Sequence, residues 1–130
     1  MAICRALKAS TRLLKLNFRQ NDIGACGGKE IGEMLVSTDF RLRKLNVSWN
    51  SIKGQGSAAI CRGLSRNKFL EHLDASWNCF SDAAALELGN ALACNQSLQR
   101  ANLEHCGVND VAAVSHATLS RCTRSPCHSF

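Results

Sequence analysis

The sequence predicts an α/β solenoid of about three and a half repeats, each reading strand, turn, helix and loop. Three observations carry this reading. The segments LLKLNFRQNDI (13–23), LRKLNVSWNSI (42–52), LEHLDASWNCF (70–80) and LQRANLEHCGV (98–108) align without gaps, with starts 29, 28 and 28 residues apart. Apolar pairs at helical spacing follow the first three, namely Ile31 and Leu35, Ile60 and Leu64, and Leu88 and Leu92. A strand of about five residues and a helix of about eleven both span roughly 16–17 Å, so the two layers stack without a step. A fixed period of this size is the mark of a stacked-repeat architecture.

The elements follow in order. Residues 1–12 read as a half repeat, because Ile3-Cys4-Arg5-Ala6-Leu7 lies over Ile60-Cys61-Arg62-Gly63-Leu64 and both run on to a strand-opening leucine, Leu13 and Leu70. The same stretch carries Arg5, Lys8, Arg12, Lys15 and Arg19 with no acid, the composition of a mitochondrial transit peptide, but a targeting segment has no reason to keep repeat register. Complete repeats are expected over 13–41, 42–69, 70–97 and 98–121. Alternation along each strand turns Leu16 and Phe18, Leu45 and Val47, Leu73 and Ala75, and Ala101 and Leu103 inward. The small residues Gly28, Ser57 and Ala85 share one repeat position, where a helix could approach the sheet closely. In the last repeat His116 and Ser120 replace core residues, although Val111, Val114 and Leu119 leave its helix partly apolar. Residues 122–130 read as an irregular tail. Neither end carries a convincing polar cap, so the expectation is a piece of a longer array or a shortened isoform.

The aligned segments fit L-x-x-L-x-L-x-x-N/C-x-L, with Ala75 and Ala101 at two of the apolar positions and Asn21, Asn50, Asn78 and Cys106 at the N/C position. With its 28-residue period and long helical half, the chain resembles the ribonuclease-inhibitor-like subfamily of leucine-rich repeats. That subfamily includes the cytosolic ribonuclease inhibitor, the GTPase-activating protein of Ran and the repeat domains of NOD-like receptors. The twice-used Ser48-Trp49-Asn50 and Ser76-Trp77-Asn78 is also similar to the leucine-rich-repeat-containing protein 74 group. The resemblance implies a right-handed α/β horseshoe arc, with a parallel sheet on the concave side and helices on the convex side, that binds a protein on its concave face, without naming the partner.

Residues between the inward positions form three concave columns: Lys15, Lys44, His72 and Arg100; Asn17, Asn46, Asp74 and Asn102; and Arg19, Ser48, Ser76 and Glu104. These are the candidate partner-binding residues, together with Trp49 and Trp77. The two tryptophans occupy one repeat position and should stack at the strand-to-turn edge, either as a partner contact or as a structural ladder. Asn21, Asn50 and Asn78 read as structural, their amides serving backbone groups where the chain leaves the sheet, a task Cys106 could perform only weakly.

The formal charge of +6 lies wholly in the first half, with +7 over residues 1–65 and −1 over 66–130. Because the basic residues divide among strand face, helix face and loops, no nucleic-acid platform is expected. The eight cysteines follow repeat register and contain no C-x-x-C, which predicts reduced thiols and a cytoplasmic or nuclear chain. Cys122, Cys127 and His128 lack a fourth nearby ligand, so no metal or other cofactor is expected. No apolar run is long enough to cross a bilayer, and no catalytic motif or small-molecule site stands out. The leading reading is a non-enzymatic protein-interaction module. The alternatives are a regulator of a nucleotide-hydrolysing partner, with Arg19, Lys53 and Asn78 as nominal candidates, and a truncated isoform without independent activity.

Overall fold

A computed structural model of the chain describes residues 5–7, 10 and 12–107. Strands β1 (Lys15–Asn17), β2 (Lys44–Asn46), β3 (His72–Asp74) and β4 (Arg100–Asn102) alternate with helices α1 (Gly24–Val36), α2 (Gln55–Arg66) and α3 (Asp82–Cys94). The strands form one parallel sheet in the order β1-β2-β3-β4, so spatial order follows chain order, as stacking of equivalent units requires. Pairing continues past the strands: Val47 N–H donates to the Asp74 carbonyl at 2.8 Å and Trp49 N–H to the Ser76 carbonyl at 3.1 Å. Residues 5–7 are helical and Leu7 packs on the core.

The core lies between the two layers. Leu45, Val47, Leu73, Ala75 and Ala101 come from the strand segments, and Ile31, Leu35, Ile60, Leu64, Leu88 and Leu92 from the helices; all are buried. Ile52, Phe80 and Cys106 close it at the turns, Phe40, Leu42 and Leu70 at the return loops. Phe18 is buried, and Leu16 and Leu103 are partly buried against the same cluster.

The helices end on a second set of recurring asparagines, seventeen residues after Asn50 and Asn78. Asn67 donates from Nδ2 to the Leu35 carbonyl at 2.9 Å, and its Oδ1 accepts from the N–H groups of Phe69 and Leu70. Asn95 donates to the carbonyls of Leu64 and Asn67 and accepts from Ser97 and Leu98. Each thereby ties the end of one helix to the previous repeat and redirects the chain toward the next strand. No asparagine stands at the end of α1, where residues 37–41 form a longer return that accounts for the 29-residue first period.

Helices α1 and α2 approach through glycine. A Cβ on Gly32 would lie 2.4 Å from the backbone carbon and oxygen of Ala59, and one on Gly63 would lie 2.6 Å from the Gly32 carbonyl oxygen. Gly28 meets Ile52 Cγ2 and the Gly56 backbone, so its small size serves contact with the next repeat and not the helix-to-sheet approach expected from the sequence. Helix α3 starts differently, with the Ser81 hydroxyl accepting from Ala84 N–H at 3.2 Å.

The fourth helix expected near Val111, Val114 and Leu119, together with His116 and Ser120, lies outside the described residues. So do the 122–130 tail with Cys122, Cys127 and His128, and the start of the half repeat with Ile3 and Cys4. Among the described residues no helix is long and apolar enough to cross a membrane.

Gly32→Ala is expected to cost about 2–3 kcal/mol, because the opposing atoms are backbone and cannot yield by a rotamer change. Gly24→Ala, which meets open space but sits at φ +65°, should cost about 1 kcal/mol. Thermal unfolding of both variants checks the difference; equal losses would show that helix contact is not the constraint.

Candidate partner-binding face

The concave face is organised by strand register. Lys15, Lys44, His72 and Arg100 are direct partners across the four strands, one per repeat, at a spacing of about 4.8 Å. Lys15 is exposed and the other three are half-buried. The ion pairs among the described residues are Arg43–Glu71 at 3.3 Å and Arg62–Glu87 at 3.4 Å, and neither draws on this column. His72 stands between two cations. Burial, then the charges of Lys44 and Arg100, hold its imidazole below its usual value, with Glu71 opposing them.

The neighbouring column is committed internally. The Oδ1 atoms of Asn17, Asn46, Asp74 and Asn102 accept the N–H groups of Arg19, Ser48, Ser76 and Glu104 at 2.9, 2.9, 3.0 and 3.1 Å. The Ser48 and Ser76 hydroxyls donate to the same oxygens on Asn46 and Asp74, at 2.7 and 2.6 Å. Asn46, Ser48 and Ser76 are buried in consequence and offer almost no surface, unlike Arg19, Asn17 and Glu104, which are exposed. Asp74 and Asn102 are half-buried.

Beyond these columns the chain turns on the ladder residues. Asn50 Nδ2 donates to the carbonyls of Phe18, Val47 and Ser48 at 2.8–2.9 Å, and its Oδ1 accepts from Asn21 N–H at 2.8 Å and Ile23 N–H at 3.4 Å. Asn78 repeats the arrangement, donating to Val47, Ala75 and Ser76 and accepting from Asn50 and Ile52. Asn21 donates to Phe18 and Arg19, and the Cys106 thiol donates to the Ala75 carbonyl at 3.0 Å. With every polar atom of Asn78 used in this way and the residue 8 % exposed, no group remains on it to orient a nucleotide-hydrolysing partner. Arg19 and Lys53 are exposed.

One residue before each ladder position, Gln20, Trp49, Trp77 and His105 share a positive φ of 53–60°. The Trp49 and Trp77 rings stack at 4.4 Å with planes 13° apart, and Trp77 stacks on His105 at 4.0 Å and 27°. The rim of the concave face is thus a three-ring stack whose faces cover one another while its edges meet solvent; Trp49 is 42 % and Trp77 44 % exposed. His105 escaped the sequence reading, although its place immediately before Cys106 marks it as the equivalent of both tryptophans.

Cys26, Cys61, Cys79, Cys94 and Cys106 are free thiols. Burial pushes both Cys61 and Cys106 up to about 12, which makes them poor nucleophiles and poor metal ligands at neutral pH. Among the described residues no group of His, Cys, Asp or Glu is placed to hold a metal ion.

The family model described as Leucine Rich repeat matches residues 41–61 and 66–89. The chain has the fold of an α/β leucine-rich-repeat solenoid. A similar solved structure is the leiomodin-1 actin-binding site 2, at a TM-score of 0.74 and 17 % identity, covering 91 % of this chain and 70 % of that one. A search of curated proteins returns no match. At that identity the likeness establishes the shared fold.

Two predictions follow from this geometry. Trp77→Ala and Trp77→Gly should both lower stability by removing two stacking contacts, yet the glycine variant should be the more stable by about 1 kcal/mol because position 77 is left-handed. Denaturant unfolding of the pair reads this directly, and an alanine variant as stable as the glycine one would refute it. Second, the folded-state value of His72 is depressed, so its contribution is present above about pH 6.5 and fades as pH falls through the lower folded value. The melting temperature of the wild type should therefore drop relative to His72→Gln between about pH 7.5 and about pH 5.5.

Proposed function

We propose that this solenoid is a non-enzymatic protein-interaction module that docks a partner on its concave face, with the aromatic rim beside it. The observation that carries the reading is the in-register column Lys15, Lys44, His72 and Arg100, four side chains without an ion-pair partner among the described residues, on a sheet whose strands pair with one another in a single ladder. Pairing between the strands leaves recognition to side chains, and three aligned cations, Lys15, Lys44 and Arg100, with the His72 imidazole between the last two, give it a sign and a direction. That leiomodin-1 carries an actin-binding site on a similar fold supports use of the architecture as a protein-docking surface. Free, buried thiols and reduced exposed ones are consistent with the cytoplasmic or nuclear setting proposed from the sequence. The ribonuclease-inhibitor-like subfamily and the protein 74 group remain proposals resting on the 28-residue period and the Ser-Trp-Asn repeat.

The test is quantitative capture from cell lysate with the wild type and with Lys44→Glu/Arg100→Glu. A protein retained by the wild type should be lost at least tenfold from the variant, with both unfolding cooperatively, since neither replaced side chain makes an ion pair among the described residues. Equal retention would remove the concave face from the reading.

A further inference from the structure

The spacing of the basic column selects the shape of what it can bind. Three strand-to-strand steps of about 4.8 Å place Lys15 and Arg100 about 14 Å apart along the column. On an α-helix, residues alternately three and four apart recur about every 5 Å, so four of them on one face cover about 16 Å. On an extended strand, same-face residues recur about every 6.6 Å and four cover about 20 Å, which leaves each outer pair of a centred strand about 3 Å out of register, against about 1 Å for the helix. The helix therefore meets the column with the least displacement of the lysine and arginine stems.

The rest of the face agrees with a helical guest. The Asn17, Asn46, Asp74 and Asn102 side chains are tied to their own backbone, which leaves a low floor beside the column. Along the far margin Trp49 and Trp77 present ring edges, about five residues or roughly 16 Å up the chain from Lys44 and His72. A helix with side chains is about 10–12 Å across, so one lying on the floor fits between the two, within reach of the lysine and arginine stems on one flank and facing the rim on the other. Single-stranded nucleic acid fits less well, since base stacking needs open ring faces and those of Trp77 are covered on both sides. Acids also border the face. Glu71 is held by Arg43, and one Asp74 oxygen by Ser76, while Glu104 lies exposed at the β4 end, so the attraction is strongest over β1 and β2.

We propose that the concave face binds an acidic amphipathic α-helix of a partner protein, laid across the strands with carboxylates three and four residues apart facing Lys15, Lys44, His72 and Arg100. The inference rests on the reading that the concave face is the docking surface, and it adds the partner's chemistry and shape.

Three synthetic peptides of equal charge test it by fluorescence anisotropy against the full chain: a stapled helix with glutamates at that spacing and leucines on the adjoining flank, a stapled helix of the same composition scrambled, and an unstapled peptide alternating glutamate with threonine. A single-stranded oligonucleotide is the fourth probe. The striped helix should bind at least tenfold tighter than the other three, with affinity falling as salt rises and lost in Lys44→Glu/Arg100→Glu. Equal binding of all acidic peptides, tighter binding of the extended one, or tighter binding of the oligonucleotide would overturn the helix. If no peptide binds while a captured cellular protein is still lost in the double variant, the helix fails and the concave-face reading stands. If capture ignores the double variant, both fail.

Discussion

The asparagine side chain at the strand-to-turn junction is the constraint from which the rest of this solenoid follows. Every repeat must leave the sheet, reverse and enter a helix, and the carbonyl and N–H groups at that bend cannot reach water once neighbours stack on either side. Asn50 and Asn78 solve this with an amide that donates to three carbonyls and accepts from two N–H groups, spanning two repeats at once. Each bond nets only about 1 kcal/mol, but a buried group left unpaired costs about 1–3, so the ladder sets the spacing of the repeats as much as their stability. At β4, Cys106 keeps the donation to the earlier repeat and loses most of the rest of the set.

The aromatic rim is a consequence of that bend. To bring the amide onto the carbonyls behind it, the preceding residue takes a left-handed conformation, which for a side chain costs about 1–2 kcal/mol. The cost is met where it arises: Trp49 and Trp77 donate N–H groups to Ser76 and Glu104 of the following repeat, and their rings stack, a gain of about 0.5–1.5 kcal/mol per pair. A strained backbone position repeated through the stack becomes the place where large rings meet in register.

The fold was legible in the sequence because its period is fixed by backbone geometry. Leu45, Val47, Leu73, Ala75, Ile60 and Leu64 repeat at 28 residues and all are buried. What escaped reading depended on side chains turning back on their own chain. Alternation alone points Asn46, Ser48 and Ser76 at the partner, yet the two-residue reach from Oδ1 to a backbone N–H draws them under the surface. Asn67 and Asn95 carried a readable signal, their recurrence seventeen residues after the ladder asparagines, but helix ends align less clearly because the first repeat is one residue longer. Gly28 was legible as small and not as to what it faces, since a helical position says nothing of which neighbour comes closest.

The side chains of this molecule divide their work by column. Those one repeat position from the turn, and those two residues before it, are spent on holding the backbone, which leaves them little freedom to change with a partner. Lys15, Lys44, His72 and Arg100 sit at the opposite end of each strand, and none of them makes an ion pair among the described residues. Substitution there alters surface charge with little effect on folding, whereas substitution at Asn50 or Trp77 alters both. A stacked-repeat fold therefore supplies a face on which recognition can vary independently of architecture, because recognition and bend occupy different columns of the same strands.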